Sequence, residues 1–344
     1  MTKKSQRRLI ILSIIILFWF MIAIIPRPQS FQGENPLRAR ADGRPHIVVH
    51  AGGNMEFPDN TLEAFYNAYS IDKDVIMEMD VALTKDRVVV LTHDRTFDRK
   101  TTLQNATVSE VNYSYLIENE IDFGYENPID RPNGFNITGE LIRYTNYRGE
   151  HVTPLDVSYP EGIQARHPEK FLATTLEEMI KAFPNNYFVV ELKQYGDLGL
   201  ELLDEVIDLF ERLDDEYNTF ERITLASFHE NLYDAFRTMR ENDYPALNYS
   251  PQHRSLTMFY ALHIPGLTIF YRDPVITFHI PMRQGNFNLA TRYFIRTAQR
   301  HNIAVHFWTI NDEESMRYLI NLGVDGILTD RPSLLKSILD EKFD

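Results

Sequence analysis

The segments HIVVHAGG (46–53), VIMEMDV (75–81) and VVVLTHD (88–94) are three short apolar runs with titratable side chains in or just after them: His50, then Glu78 and Asp80, then His93. Apolar runs of this length read as buried β-strands. Charged side chains are seldom buried unless they are paired or at work. Residues two apart on a strand share a face, so Glu78 and Asp80 point the same way, as do Glu191 and Lys193 in YFVVELK (187–193). Three carboxylates aimed at one cavity repel each other unless something cationic stands between them. A set of oxygen ligands suits Mg²⁺, Ca²⁺ or Mn²⁺ better than zinc. The competing reading is a buried salt-bridge network with Lys193. His50 and His93 offer a proton donor and a proton acceptor near neutrality, which phosphodiester cleavage needs. The other nine histidines read as structural.

Outward from this stretch, strand-like runs alternate with helix-like segments. Strands are expected at 46–50, 75–81, 87–93, 187–192, 222–228, 246–250, 304–310 and 326–329. A helix is expected to start at Asn60, with Glu63 three residues on, and another at Thr175, with Glu178 repeating the pattern. Residues 200–212 and 312–322 show helical spacing of apolar positions. Eight strands alternating with helices predict an α/β fold, a (β/α)₈ TIM barrel. The apolar stretches within 256–283 do not settle into a register. Residues 103–170 are surplus to a barrel loop, and a structureless loop of that length is improbable in a compact domain. They are expected to form a small inserted subdomain after the third strand, over the barrel mouth.

The N-terminus departs from globular behaviour. Lys3, Lys4, Arg7 and Arg8 precede an apolar run from Leu9 to Ile25 broken only by Ser13. That length just suffices to span a bilayer, and the basic flank places the N-terminal end in the cytoplasm. The expected division is a cytoplasmic basic segment (1–8), a transmembrane signal-anchor (9–25), a linker (26–45) and a barrel domain (46–340) that includes the insertion. The barrel domain would then be extracytoplasmic, at the cell membrane. A cleaved signal peptide is the rival, against which stand the length of the run and the absence of a small-x-small site before Pro26-Arg27-Pro28.

The chain has no cysteine, which excludes a disulfide framework, a thiolate metal site and a cysteine nucleophile. Its net charge is −14; the first 26 residues carry four basic and no acidic side chains, which leaves −18 for the remainder. Such an acidic balance argues against nucleic acid and against strong adsorption to anionic lipid.

The order of motifs resembles the glycerophosphodiester phosphodiesterase family. The run HAGGNMEFPDNTLEAFYNAYSIDKDVIMEMDVALTKDRVVVLTHDRTFDRKTT (50–102) is similar to that family's signatures. TLEE (175–178), VVELK (189–193), ASF (226–228), WTIN (308–311) and GVDGILTDRP (323–332) extend the likeness. The resemblance implies His50 and His93 as the acid/base pair, and Glu78, Asp80 and Glu191 as ligands of a divalent metal ion (Ca²⁺ or Mg²⁺, or Mn²⁺). It implies Lys193, Trp308 and Phe228 as substrate-binding residues, Lys193 by neutralising phosphate charge and the two aromatics by lining the pocket. Two positions depart from the pattern. Ala51 stands where the family has a phosphate-binding arginine, and Asp59 stands where it has a glutamate.

The expected activity is hydrolysis of glycerophosphodiesters to sn-glycerol 3-phosphate and an alcohol, a phosphoric diester hydrolase reaction. Alternatives are a phospholipase D-like hydrolysis of lysophospholipid or of a polyglycerol-phosphate polymer, and a tethered binding protein without catalysis. Exposure of the apolar stretch 256–271 near the mouth would favour lipid.

Overall fold

The computed structural model describes residues 3–126 and 140–344. Residues 127–139 of the expected insertion and the first two residues of the basic segment lie outside the described residues. Eight parallel strands form a nearly closed barrel: β1 (His46–Val49), β2 (Ile76–Leu83), β4 (Phe188–Leu192), β5 (Ile223–Ala226), β6 (Asn248–Tyr249), β7 (Thr277–Ile280), β8 (Ala304–Phe307) and β9 (Gly326–Thr329). Their order is β6-β5-β4-β2-β1-β9-β8-β7, and every ladder in that path is parallel. Among the described residues, no ladder joins β6 to β7.

One expected strand is corrected. Within 87–93 only β3 (Val89–Leu91) is a strand, and it pairs antiparallel with the end of β2, Val81 opposite Leu91. The five residues between 81 and 87 are too few for a parallel crossover, which takes a dozen or more. Thr84 and Asp86 close the turn instead: the Thr84 hydroxyl donates to Asp86 Oδ1 at 2.7 Å, and Arg87 takes φ 61°. The eighth barrel strand is β7, within the stretch that showed no register. The insertion therefore follows a hairpin strand that lies off the barrel.

The strands alternate as their sequences require. Met77, Met79 and Val81 of β2 join the apolar layer under the helices, whereas Ile76 joins Val48, Val189, Ile276, Ala304 and Leu328 inside the barrel. The helices cover the outer layer: α2 (Leu62–Ile71), α3 (Leu176–Ala182), α4 (Gly196–Tyr217), α5 (Glu230–Asn242), α6 (His253–His263), α7 (Arg292–Gln299), α8 (Glu313–Leu322) and α9 (Pro332–Phe343). Thr175 and Glu178 form a full capping box on α3. The cap of α2 is Thr61, one residue later than expected, because Asn60 turns into the left-handed region at φ 55°.

The stretch expected as a linker lies against the barrel floor. Leu37 is buried in the interior layer, and its carbonyl accepts from His306 Nε2 at 2.9 Å. Asn35 donates to the carbonyls of Ile276 and Asn302, both at 2.8 Å, and Arg38 pairs with Asp325 at 2.8 Å. His306 also contacts His279 at 3.1 Å, and burial holds its pKa down at about 4. Gly326 makes room for it: a Cβ there would stand 2.7 Å from the His306 ring.

Residues 103–126 and 140–170 include a helix at Tyr113–Glu118 and a ladder of Tyr125–Glu126 with Ile142–Arg143. They fasten to the loop after β1, where Tyr144 Oη donates to Asn54 O at 2.7 Å and Tyr147 N to Met55 O at 2.8 Å. Ahead of the barrel, α1 (Lys3–Ile24) is the one helix among the described residues long and apolar enough to cross a membrane. Its apolar side chains are almost all exposed.

Candidate active site

Strand register assembles the site. Val49 is level with Met77 on β2 and with Thr329 on β9, so His50, one residue on, comes between Glu78 and Asp330. Asp80 is level with Glu191 on β4. Oxygens of Glu78, Asp80 and Glu191 lie within 4.8 Å of one another, with Glu78 and Asp80 buried. The structure thus brings together the three expected carboxylates and His50. β3 then carries the chain back, Thr92 N donating to Asp80 O at 2.9 Å, so that His93 follows at the same level.

Each histidine is held by an aspartate. His50 Nδ1 contacts Asp330 Oδ1 at 2.7 Å, and His93 Nδ1 contacts Asp94 Oδ1 at 2.8 Å. Burial works against the charge on His50, but Asp330, Glu78 and Asp80 outweigh it and push its pKa up to about 10. The Asp94 hydrogen bond raises that of His93. Asp330 is fixed in turn by Asn311, whose amide donates to Oδ2 at 2.7 Å. Asp94 is gripped by Arg99, which also reaches Asp59 at 3.1 Å, and Lys100 donates to the Asp59 backbone carbonyl. The shorter acid at position 59 therefore braces the His93 side of the site.

Lys193 lies among the carboxylates, 2.9 Å from Asp80 and 2.7 Å from Glu191. One ammonium group does not balance three acids. Burial and the adjacent Asp80 charge push Glu78 up to about 8, even though Ala51 N donates to its Oε2 at 3.0 Å. Asp80 keeps a lowered pKa: burial opposes its charge, but Lys193 and the two histidines prevail, helped by the Asn60 amide at 2.9 Å. An oxygen-only cluster short of positive charge is a donor set that fits a hard divalent cation.

The loop after β1 explains its glycines and leaves the missing arginine unreplaced from within. Ala51, Gly52 and Gly53 all have positive φ, and a Cβ on Gly52 would stand 2.7 Å from that of Ala64. Gly53 N is taken by His50 O at 2.8 Å. A guanidinium does stand at the mouth elsewhere. Arg95, two residues after His93, lies over the Tyr195 ring at 4.1 Å, and Tyr195 is two residues after Lys193. Of the expected pocket aromatics, Trp308 packs half-buried against the barrel interior, while Phe228 is 75% exposed beyond the end of β5.

Sequence reasoning missed Asp330, Asn311, Asn60, Asp94 and Arg99. Signals existed for two of them: Asp330 ends the last barrel strand in GVDGILTDRP, and Asp94 directly follows His93. Asn60 and Asn311 act through loop conformation, which has no signature in spacing.

A barrel whose strand ends present a carboxylate cluster beside two aspartate-held histidines is the architecture of a phosphoric diester hydrolase. The chain belongs to the glycerophosphoryl diester phosphodiesterase family, whose profile matches residues 50–334. It is 24% identical over 313 residues to lysophospholipase D GDPD1 of Homo sapiens, covering 85% of each chain. It is 23% identical over 304 residues to the glycerophosphodiester phosphodiesterase of Caldanaerobacter subterraneus subsp. tengcongensis, covering 85% of this chain and 97% of that one. A putative glycerophosphoryl diester phosphodiesterase from Silicibacter pomeroyi shares the fold, with a TM-score of 0.60 at 21% identity over 90% of this chain and 98% of that one. So does an Oleispira antarctica phosphodiesterase solved with its product sn-glycerol-3-phosphate, with a TM-score of 0.58 at 18% identity over 86% and 97%.

Proposed function

We propose that this chain hydrolyses glycerophosphodiesters to sn-glycerol 3-phosphate and an alcohol, from the outer side of a membrane to which α1 anchors it. The observation that carries this reading is the strand register that gathers Glu78, Asp80, Glu191, His50 and Lys193 at one end of the barrel. The product bound to the Oleispira antarctica neighbour supports the choice of substrate.

Glu78, Asp80 and Glu191 would hold the divalent cation, with Ca²⁺, Mg²⁺ and Mn²⁺ all compatible with carboxylate ligands. Bound there, such an ion supplies Lewis-acid charge to the phosphoryl oxygens. Lys193 adds a second positive charge to the phosphate as negative charge builds in the transition state. His50 and His93 work as a pair: one accepts the proton of the attacking water, or of a glycerol hydroxyl whose cyclic phosphate water then opens, and the other protonates the departing alkoxide. Asp330 and Asp94 tie up the Nδ1 atoms, which leaves Nε2 of each ring for this exchange. The carboxylates around His50 favour its protonated form, which suits the donor. Trp308 and Phe228 line the approach to the glycerol.

A second reading, phospholipase D-like cleavage of lysophospholipid, is favoured by the relative named lysophospholipase D and by the apolar α1. One assay separates the two. The full chain in detergent is given glycerophosphocholine or lysophosphatidylcholine with Mg²⁺ or Ca²⁺. Glycerol 3-phosphate from the first substrate supports the proposal, and lysophosphatidic acid from the second supports the alternative. Product that survives chelator or His50→Ala overturns the metal and histidine assignment, and no product from either substrate overturns both readings.

A further inference from the structure

The acidic balance of the chain conceals one basic district. Between positions 250 and 300 stand six arginines and a single acidic residue, Asp273. The arginines are Arg254, Arg272, Arg283, Arg292, Arg296 and Arg300, all exposed, on α6, α7 and the loops that flank them. Several surface arginines elsewhere are matched to acids, as Arg87 is to Glu201 and Glu205, Arg212 to Glu177, and Arg317 to Glu313 and Glu341. Arg254, Arg272, Arg283, Arg292 and Arg296 form no ion pair among the described residues.

Apolar side chains stand among these charges. Met258, Ile264, Phe270, Phe287 and Tyr293 are 45–64% exposed, with Ile264 and Phe270 the most open. An exposed apolar patch rimmed by charge marks an interaction site. A face that mixes arginine with aromatic and aliphatic side chains suits an anionic bilayer surface.

This flank touches α1. The Trp19 ring lies 3.6 Å from where a Cβ on Gly266 would stand, and the Arg27 guanidinium, which donates to Ile22 O at 2.9 Å, also donates to Gly266 O at 3.5 Å. Arg27 is the first charged side chain beyond the apolar run that ends at Ile25. In a helix that spans a bilayer, a basic residue just past the apolar run lies at the headgroup level. The Gly266 turn that Arg27 holds is then at that depth as well.

We propose that the α6–α7 flank is a bilayer-docking surface. Its arginines pair with anionic lipid phosphates, and Ile264 and Phe270 enter the acyl boundary beside α1. The proposal rests on the reading of α1 as an anchor. It also gives the apolar stretch 256–271 a role apart from the catalytic pocket, as a seat on the membrane.

The absence of cysteine makes the test direct. Single cysteines at Ser13, Lys85, Ile264 and Phe270 each carry a fluorophore on the full chain, reconstituted in nanodiscs of equal parts phosphatidylcholine and phosphatidylglycerol. Lipids with a headgroup-level or a mid-chain nitroxide quench from within the bilayer; iodide quenches from water. Labels at 264 and 270 are expected to be quenched by headgroup-level nitroxide and shielded from iodide, while the label at 85 shows the reverse. Arg254→Glu with Arg272→Glu should restore iodide access at 270 several-fold. If 13 is quenched by mid-chain nitroxide but 264 and 270 behave like 85, the anchor stands and the docking surface is overturned. If 13 itself is open to iodide, the anchor reading fails and takes the docking surface with it. Shielding at 270 from both quenchers that grows with protein concentration marks a second protein copy and also overturns the proposal.

Discussion

Asp330, just past the last barrel strand, grips His50, just past the first, Oδ1 to Nδ1 at 2.7 Å, above a ladder that pairs Val49 with Thr329. The contact orients the imidazole and favours its charged form. Asp330→Asn should lower kcat roughly a hundredfold while leaving KM within a few-fold, since misplacing a proton donor harms the transition state more than binding. The titration of His50, followed by NMR of its ring, should move to lower pH in the variant, because a carboxylate that raises the pKa has been removed.

The carboxylate cluster makes a prediction with two opposite signs. Without metal, Glu78→Gln replaces a carboxyl whose ionised form burial and the Asp80 charge disfavour, and the amide oxygen can still accept from Ala51 N. The variant should therefore match or exceed the parent in stability, by up to about 1 kcal/mol. With Ca²⁺ or Mg²⁺ added, only the parent should gain in Tm, because ligand binding to the native state stabilises it. Thermal unfolding with and without chelator reads both effects.

Arg95 lies over Tyr195, and the two stand two residues beyond His93 and Lys193 respectively. If it takes the phosphate-binding part that Ala51 cannot play, its removal weakens binding. Arg95→Ala should raise KM for a glycerophosphodiester about tenfold with a smaller effect on kcat, and Arg95→Lys should restore little of the loss, because the stacked planar group is what Lys cannot copy.

Asp94 links His93 to Arg99, and those partners hold its pKa down at about 2 against the cost of burial. A carboxyl lowered in the folded state adds stability above its unfolded pKa, and the gain is lost as pH falls through the folded value. Asp94→Asn should cost about 2 kcal/mol at neutral pH. The gap between parent and variant should close between about pH 4 and pH 2, as read by denaturant unfolding across that range.

Gly326→Ala should destabilise by about 1–3 kcal/mol, since its Cβ would meet the His306 ring at 2.7 Å inside a packed barrel. A second substitution, His306→Ala, made together with it should recover part of the loss. A double-mutant cycle measures the coupling.

Much of this was legible in the chain. Period-two alternation in VIMEMDV and YFVVELK placed Glu78, Asp80, Glu191 and Lys193 on inward faces, because side-chain direction on a strand is set by local geometry alone. Thr175 and Glu178 announced α3, since a capping box is a contact between near neighbours. The mistaken third strand had the right composition and the wrong partner: VVL is equally at home in a hairpin or a barrel, and only the short connection to β2 decided between them. β7 was hidden because TFHI is short, mixes polar with apolar side chains, and sits among other apolar stretches.

What the sequence determined by itself is the inventory and the local direction of the chemistry: which acids and histidines end buried strands, and which face they share. Tertiary structure decided their company. Asp330 lies 280 positions from His50, and Glu191 lies 111 from Asp80. No spacing rule reaches that far, because these neighbours are set by strand register around a nearly closed barrel. The basic flank beside α1 was likewise invisible in a net charge of −14, since a sum over the chain discards where each charge stands.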